Sequence, residues 1–212
     1  RQYSTHKKLL KSLGRVGMCV NDKTPNCISV DDLDKVCFIL CNSYEDKKNS
    51  DLGVGPLNDS VMIGINFHRR GYHVFYLYNT YREEFLKYAK FFIEHTKTSL
   101  VFFYSGRGEV INNNQSTIIF KDGAIAPNDM MPIIANSNGT TKVVMITDSS
   151  CGGCAFDVNG GIKNVISLGI SKPSGSEKEE RRTHGIFTYY FCKVINECPN
   201  ITPSFLTERM NP

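Results

Sequence analysis

No stretch of about 18 consecutive apolar residues occurs in the chain, so no membrane-spanning helix is expected. The opening residues Arg1 to Lys8 lead into no apolar run of signal-peptide type. Lys and Arg do not cluster with stacking aromatics, and the net charge of +4 is mild, which argues against nucleic acid as a partner. There is no internal repeat. Cys151-Gly-Gly-Cys154 has no second Cys/His pair at zinc-finger spacing, so it does not read as half of a zinc site. What is present is ordinary globular material: 212 residues, 41% hydrophobic and 22% charged, enough for one well-buried core. A chain with this much periodic hydrophobic sequence does not need disulfide staples, so its eight cysteines read as mostly reduced and the protein as cytoplasmic. The formal sequons at Asn58, Asn138 and Asn200 would be silent there.

Apolar runs bounded by turn residues mark the strands: Val36 to Cys41, His73 to Tyr78, Leu100 to Tyr104, Val143 to Thr147, and Asn164 to Ile170. Asn58 or Asp59 is the candidate cap of a helix that carries Val61, Met62, Ile65 and Phe67 and stops at Gly71. Residues 81–95 place Phe85, Tyr88, Ala89, Phe92 and Ile93 on one helical face, with acids in the first turn. Ser116 to Phe120 followed by Asp122-Gly123 predicts a small hairpin, Asn128-Asp129 caps a short helix, and residues 185–195 form a last helix. This alternation predicts an α/β fold: a mainly parallel sheet of about six strands between helices on both faces, a three-layer sandwich. Residues 1–33 read as an N-terminal extension packing on the core, and residues 34–212 as the domain itself.

Two of the strands end in unusual chemistry. Val101-Phe-Phe-Tyr-Ser-Gly-Arg-Gly108 is a buried run that stops at a glycine-flanked site presenting Arg107. Val143-Val-Met-Ile-Thr-Asp-Ser-Ser-Cys-Gly-Gly153 repeats the design, with Asp148, Ser149, Ser150 and Cys151 before a glycine turn. Polar tips at the carboxyl ends of adjacent parallel strands form the floor of a site in open α/β folds.

Together these segments resemble the caspase-like cysteine peptidases, most closely the metacaspase and paracaspase branch, whose strands end Tyr-Ser-Gly-His-Gly and Asp-Ser-Cys-His-Ser-Gly. Weaker landmarks agree in order: Gly55-Pro-Leu-Asn-Asp-Ser60 looks like the family's Gly-Cys-x-Asn-Asp-Ala, Gly71-Tyr72 like its glycine-aromatic pair, and Gly185-Ile-Phe-Thr188 like its Gly-x-Phe-Thr. The resemblance spans roughly residues 34–196 and implies a caspase-like sandwich. It also puts Arg107 on the catalytic histidine, Ser150 on the nucleophilic cysteine and Cys151 on the histidine after it. Asp148 falls on the aspartate that in metacaspases receives a substrate Arg or Lys, with Ser105 beside it.

A cysteine peptidase needs a thiolate and a group that protonates the leaving amine. Arg107 is neither, because a guanidinium stays protonated above about pH 12 and accepts no proton. The expected protein is therefore a pseudopeptidase that acts by binding, either holding a peptide or protein with basic side chains or pairing with an active metacaspase relative. An internal ion pair between Arg107 and Asp148 is expected to fill the cleft. The competing reading is an active endopeptidase cutting after Arg or Lys, with Cys151 as a displaced nucleophile and His184 or His73 as base. A third, a phosphate-binding domain using Gly106-Arg-Gly108, lacks a helix-opening glycine fingerprint. The resemblance further implies a calcium set made of Asp122, Asn128, Asp129 and Asp157, whose oxygens suit that ion.

Overall fold

The computed structural model describes residues 2–44, 52–111, 115–149, 164–169, 185–202, 206 and 209–210. The chain runs α1 (Gln2–Val16), β1 (Gly17–Cys19), β2 (Lys35–Cys41), α2 (Gly55–Arg69), β3 (His73–Tyr78), α3 (Arg82–His95), β4 (Ser99–Gly106), β5 (Gly108–Ile111), β6 (Gln115–Phe120), β7 (Gly123–Ile125), α4 (Pro127–Ile134), β8 (Lys142–Ser149), β9 (Val165–Gly169) and α5 (Ile186–Glu197). Six strands form one sheet in the order β1-β3-β2-β4-β8-β9, and every neighbouring pair is parallel. The remaining three form a small antiparallel sheet, β5-β6-β7, beside it.

Burial explains the sequence of the central strands. In β2, Val36 to Cys41 are all buried, as a parallel strand covered on both faces requires. Alternate residues serve two cores. Phe38, Leu40, Leu100, Phe102 and Met145 face α3 and α4, where Phe38 packs on Phe92 with ring centroids 4.9 Å apart and on Phe85 at 5.8 Å. Cys37, Ile39, Val101, Phe103 and Ile146 face α2 and α5, meeting Leu57, Ile63, Phe187 and Phe191. Helix α3 buries Phe85, Tyr88, Ala89, Phe92 and Ile93, the face the sequence pattern marks.

The three-layer α/β sandwich is thus as the sequence predicts. Four local features differ. Helix α2 starts at Gly55 rather than at Asn58 or Asp59, because Pro56 suits the first turn of a helix, and Asp59 is carried into the interior. Helix α4 starts at Pro127, and Asp129 serves it from within by accepting the Ala126 N–H at 2.8 Å. The hairpin gains a third strand, β5. Helix α1 and the edge strand β1 occupy a stretch in which no element was expected, since its charges conceal a short apolar stripe, Leu9, Leu10, Leu13 and Val16, that packs into the α2 side. All six described cysteines are free thiols, and no described helix is long and apolar enough to cross a membrane.

Candidate active site

Strands β4 and β8 are neighbours, so their carboxyl ends lie side by side, with Ser105 opposite Asp148 and Gly106 opposite Ser149. The strand alternation that turns Phe103 and Ile146 toward α2 and α5 turns Ser105 and Asp148 the same way. Both are buried, at 3% and 8% exposure.

A third residue joins them from α2. Asp59, 2% exposed, accepts the Ser105 hydroxyl on Oδ2 at 2.9 Å and the Gly185 backbone N–H on Oδ1 at 2.8 Å. Asp148 holds the next residues of the same segment, because Thr188 donates to its Oδ2 from the backbone N–H at 2.8 Å and from the hydroxyl at 2.7 Å. Gly185 is the N-cap of α5, so the two side chains pin the start of that helix by hydrogen bonds. Burial, and then the charge of Asp148, push the Asp59 carboxyl well above the ordinary carboxylate range.

Arg107 lies just past the end of β4, half-buried, on a tightly held backbone. Its N–H donates to the Tyr44 hydroxyl at 3.2 Å, and its carbonyl accepts the Tyr104 hydroxyl at 2.5 Å and the Ile119 N–H at 3.1 Å. Tyr44 reaches this position with φ +59°, and its hydroxyl also donates to the Ile119 carbonyl at 2.6 Å. The flanking glycines allow the close approach. A Cβ on Gly106 would stand 2.5 Å from the Tyr104 hydroxyl oxygen, and one on Gly108 would stand 2.8 Å from Ser149 Oγ. Gly106→Ala is expected to destabilise the protein by about 2 kcal/mol, measured by urea unfolding, since the ring beneath is fully buried and cannot retreat.

A family model described as "Caspase domain" matches residues 34–209. The chain belongs to the caspase domain family. Among solved structures it is similar to caspase-1 from Spodoptera frugiperda, with TM-score 0.66, 12% identity, and coverage of 84% of this chain and 76% of that one. It is likewise similar to the Drosophila initiator caspase Dronc, with TM-score 0.62, 12% identity, and coverage of 84% and 72%. At these identities the likeness is one of fold. No curated protein sequence matches the chain.

Within this caspase domain the structure brings Ser105 and Asp148 together as neighbours, with Asp59 added. Asp59 was missed because its motif, Asn58-Asp59-Ser60, reads equally well as a helix cap. Its place in the resemblance to Gly-Cys-x-Asn-Asp-Ala was the available signal. The expected Arg107–Asp148 ion pair is not found among the described residues. The chain leaves the β4 line at Gly106 to enter the small sheet, while both described hydrogen bonds at Asp148 come from Thr188. Ser150, Cys151, Asp157 and His184 lie outside the described residues. His73 opens β3, at the opposite end of the sheet from Asp148, and so cannot serve as a base there. The buried thiols Cys37 and Cys192 are both pushed up by burial, Cys192 to about 12, so neither supplies a thiolate.

For the calcium set, Asp122 accepts the Arg82 backbone N–H at 3.0 Å and lies 3.6 Å from that guanidinium. Asp129 caps α4 beside Asn128. Among the described residues no three His, Cys, Asp or Glu side chains gather as metal ligands.

Proposed function

We propose that this caspase-domain protein has lost peptidase activity and acts by binding, in the manner of a degenerate metacaspase. The observation that carries the reading is Arg107. The resemblance sets it at the place of the catalytic histidine, and its backbone is fixed there by Tyr44, Tyr104 and Ile119. A guanidinium at that point offers charge and hydrogen-bond donors but takes no proton from a nucleophile. Ser150, on the nucleophile position by the same alignment, is a weak nucleophile without a base.

Of the two binding roles, pairing with an active member of the family is better supported than capture of a basic side chain. Asp59 and Asp148 are the acids that would receive such a side chain, and both are turned inward onto Gly185 and Thr188. A lysine or arginine would have to displace the start of α5 to reach them.

The test is hydrolysis of fluorogenic Arg, Lys and Asp peptides, with and without calcium. The native chain is expected to show no turnover above the buffer rate, as loss of nucleophile or base in a catalytic triad costs on the order of 10⁴–10⁶ in rate. Turnover abolished by Cys151→Ser would overturn the reading and identify a displaced nucleophile. Activity gained by Arg107→His/Ser150→Cys would mark these two positions as those at which the chemistry was lost.

A further inference from the structure

Beside the edge strand β1, helix α1 presents cations that no described residue balances by an ion pair. Lys7, Lys8, Lys11 and Arg15 are exposed, and the helix contains no acidic residue. Among the described residues none of the four enters an ion pair; the pairs found are Arg82–Asp122, Lys90–Glu94 and Arg209–Glu197. Lys7, Lys11 and Arg15 follow at intervals of four, so they form one line along the helix, and like charges so spaced oppose helix formation. Only Arg15, in the last turn, has the sign the helix end favours. The line therefore works against the helix that carries it.

The ridge runs into a cleft of about 600 Å³ at the amino ends of β1 and β3. Arg15, His68 and His73 stand on its wall, with Met18, Ile28 and Phe75 as apolar lining and Asp32 as its one acid. We propose that ridge and cleft together are a docking site for an extended acidic segment of a partner protein. This surface is separate from the caspase site and the inference does not depend on how that site is read.

Charge complementarity and spacing select the occupant. Four residues of helix advance about 6 Å, and two residues of extended chain about 6.6 Å, so acids at alternate positions of a strand-like segment fall against successive cations. A lipid surface fits less well. The leucines of α1 are packed against the protein rather than offered to a bilayer, and a plane cannot enter a cleft. Single-stranded nucleic acid would call for aromatic platforms among the cations, and no residue from Lys7 to Arg15 is aromatic.

The experiment is fluorescence anisotropy of a labelled peptide of alternating Glu and Ser, compared with its Gln–Ser counterpart. The native chain is expected to bind the acidic peptide only, more weakly as salt rises from about 0.05 to 0.3 M. Lys7→Glu/Lys11→Glu/Arg15→Glu is expected to weaken binding at least about tenfold, and the matching triple Gln variant to fall between, with melting temperatures near the native value. Should the reversal fail to fold, the Gln variant alone gives the answer. No binding, or equal affinity for native and variant, would overturn the proposal. So would tighter, ridge-dependent binding to phosphatidylserine vesicles or duplex DNA than to the peptide.

Discussion

Gly185→Ala is expected to lower stability by at least about 3 kcal/mol, which for a chain of this size lowers the melting temperature by roughly 6–12 °C. The added carbon would stand 2.0 Å from Oδ2 of Asp148, 2.5 Å from its Cγ and 2.8 Å from Oδ1. Neither party can step aside cheaply. Gly185 is held by Asp59 through its N–H, and the Asp148 carboxylate is held by both donors of Thr188. Thermal unfolding of Gly185→Ala, Asp148→Ala and the double variant tests the contact itself. With the carboxylate gone the alanine has room, so the double variant should lose distinctly less than the sum of the singles. Strict additivity would mean that α5 does not start against Asp148.

Asp59→Asn is expected to stabilise the protein above neutral pH and to do little near pH 5. The folded state holds the Asp59 carboxyl above its unfolded pKa of about 3.9, through burial first and the neighbouring Asp148 charge second. A carboxyl with a raised folded pKa contributes fully below its unfolded value and loses that contribution as pH rises through the folded one. Stability of the native chain should therefore fall from the acidic side of neutrality upward. Asn keeps an acceptor for the Gly185 N–H and removes the charge, which is worth about 2 kcal/mol at pH 8, or roughly 4–8 °C in melting temperature. Melts of native and variant protein from pH 5 to 9 should diverge up to about pH 8, where the folded-state carboxyl ionises, and run parallel above it. Curves parallel over the whole range would show that Asp59 ionises freely in the folded protein.

The sheet was legible in the sequence because its strands are buried on both faces: continuous apolar runs such as Val36 to Cys41 leave no other reading. Helix α3 was legible for a related reason, its five core residues recurring at helical spacing. Helix α1 was not, since Leu9, Leu10 and Leu13 are scattered among lysines and only their packing on the α2 side reveals the stripe. The glycine-flanked strand ends marked β4 and β8, which the structure pairs side by side. The partners of those ends were not readable. Whether Asp148 faces Arg107 or Thr188 depends on where the chain turns after Gly106, and that turn is set by the tyrosine hydroxyls of residues 44 and 104, which no local pattern announces. Asp59 was hidden by ambiguity of another sort, because the same residue type caps helices and builds buried pairs.

The carboxylate pair also carries a consequence for the order of folding. Residues 59, 105, 148, 185 and 188 come from α2, β4, β8 and α5, and every sheet pairing that brings them near is parallel and bridged by a long crossover. Contacts of such long range are costly in loop closure and form after local structure. The clasp on α5 therefore closes late, once β4 and β8 are in register. A substitution that strains it, such as Gly185→Ala, should leave the refolding rate nearly unchanged and appear almost wholly as faster unfolding. What the two aspartates govern is how long the finished molecule lasts.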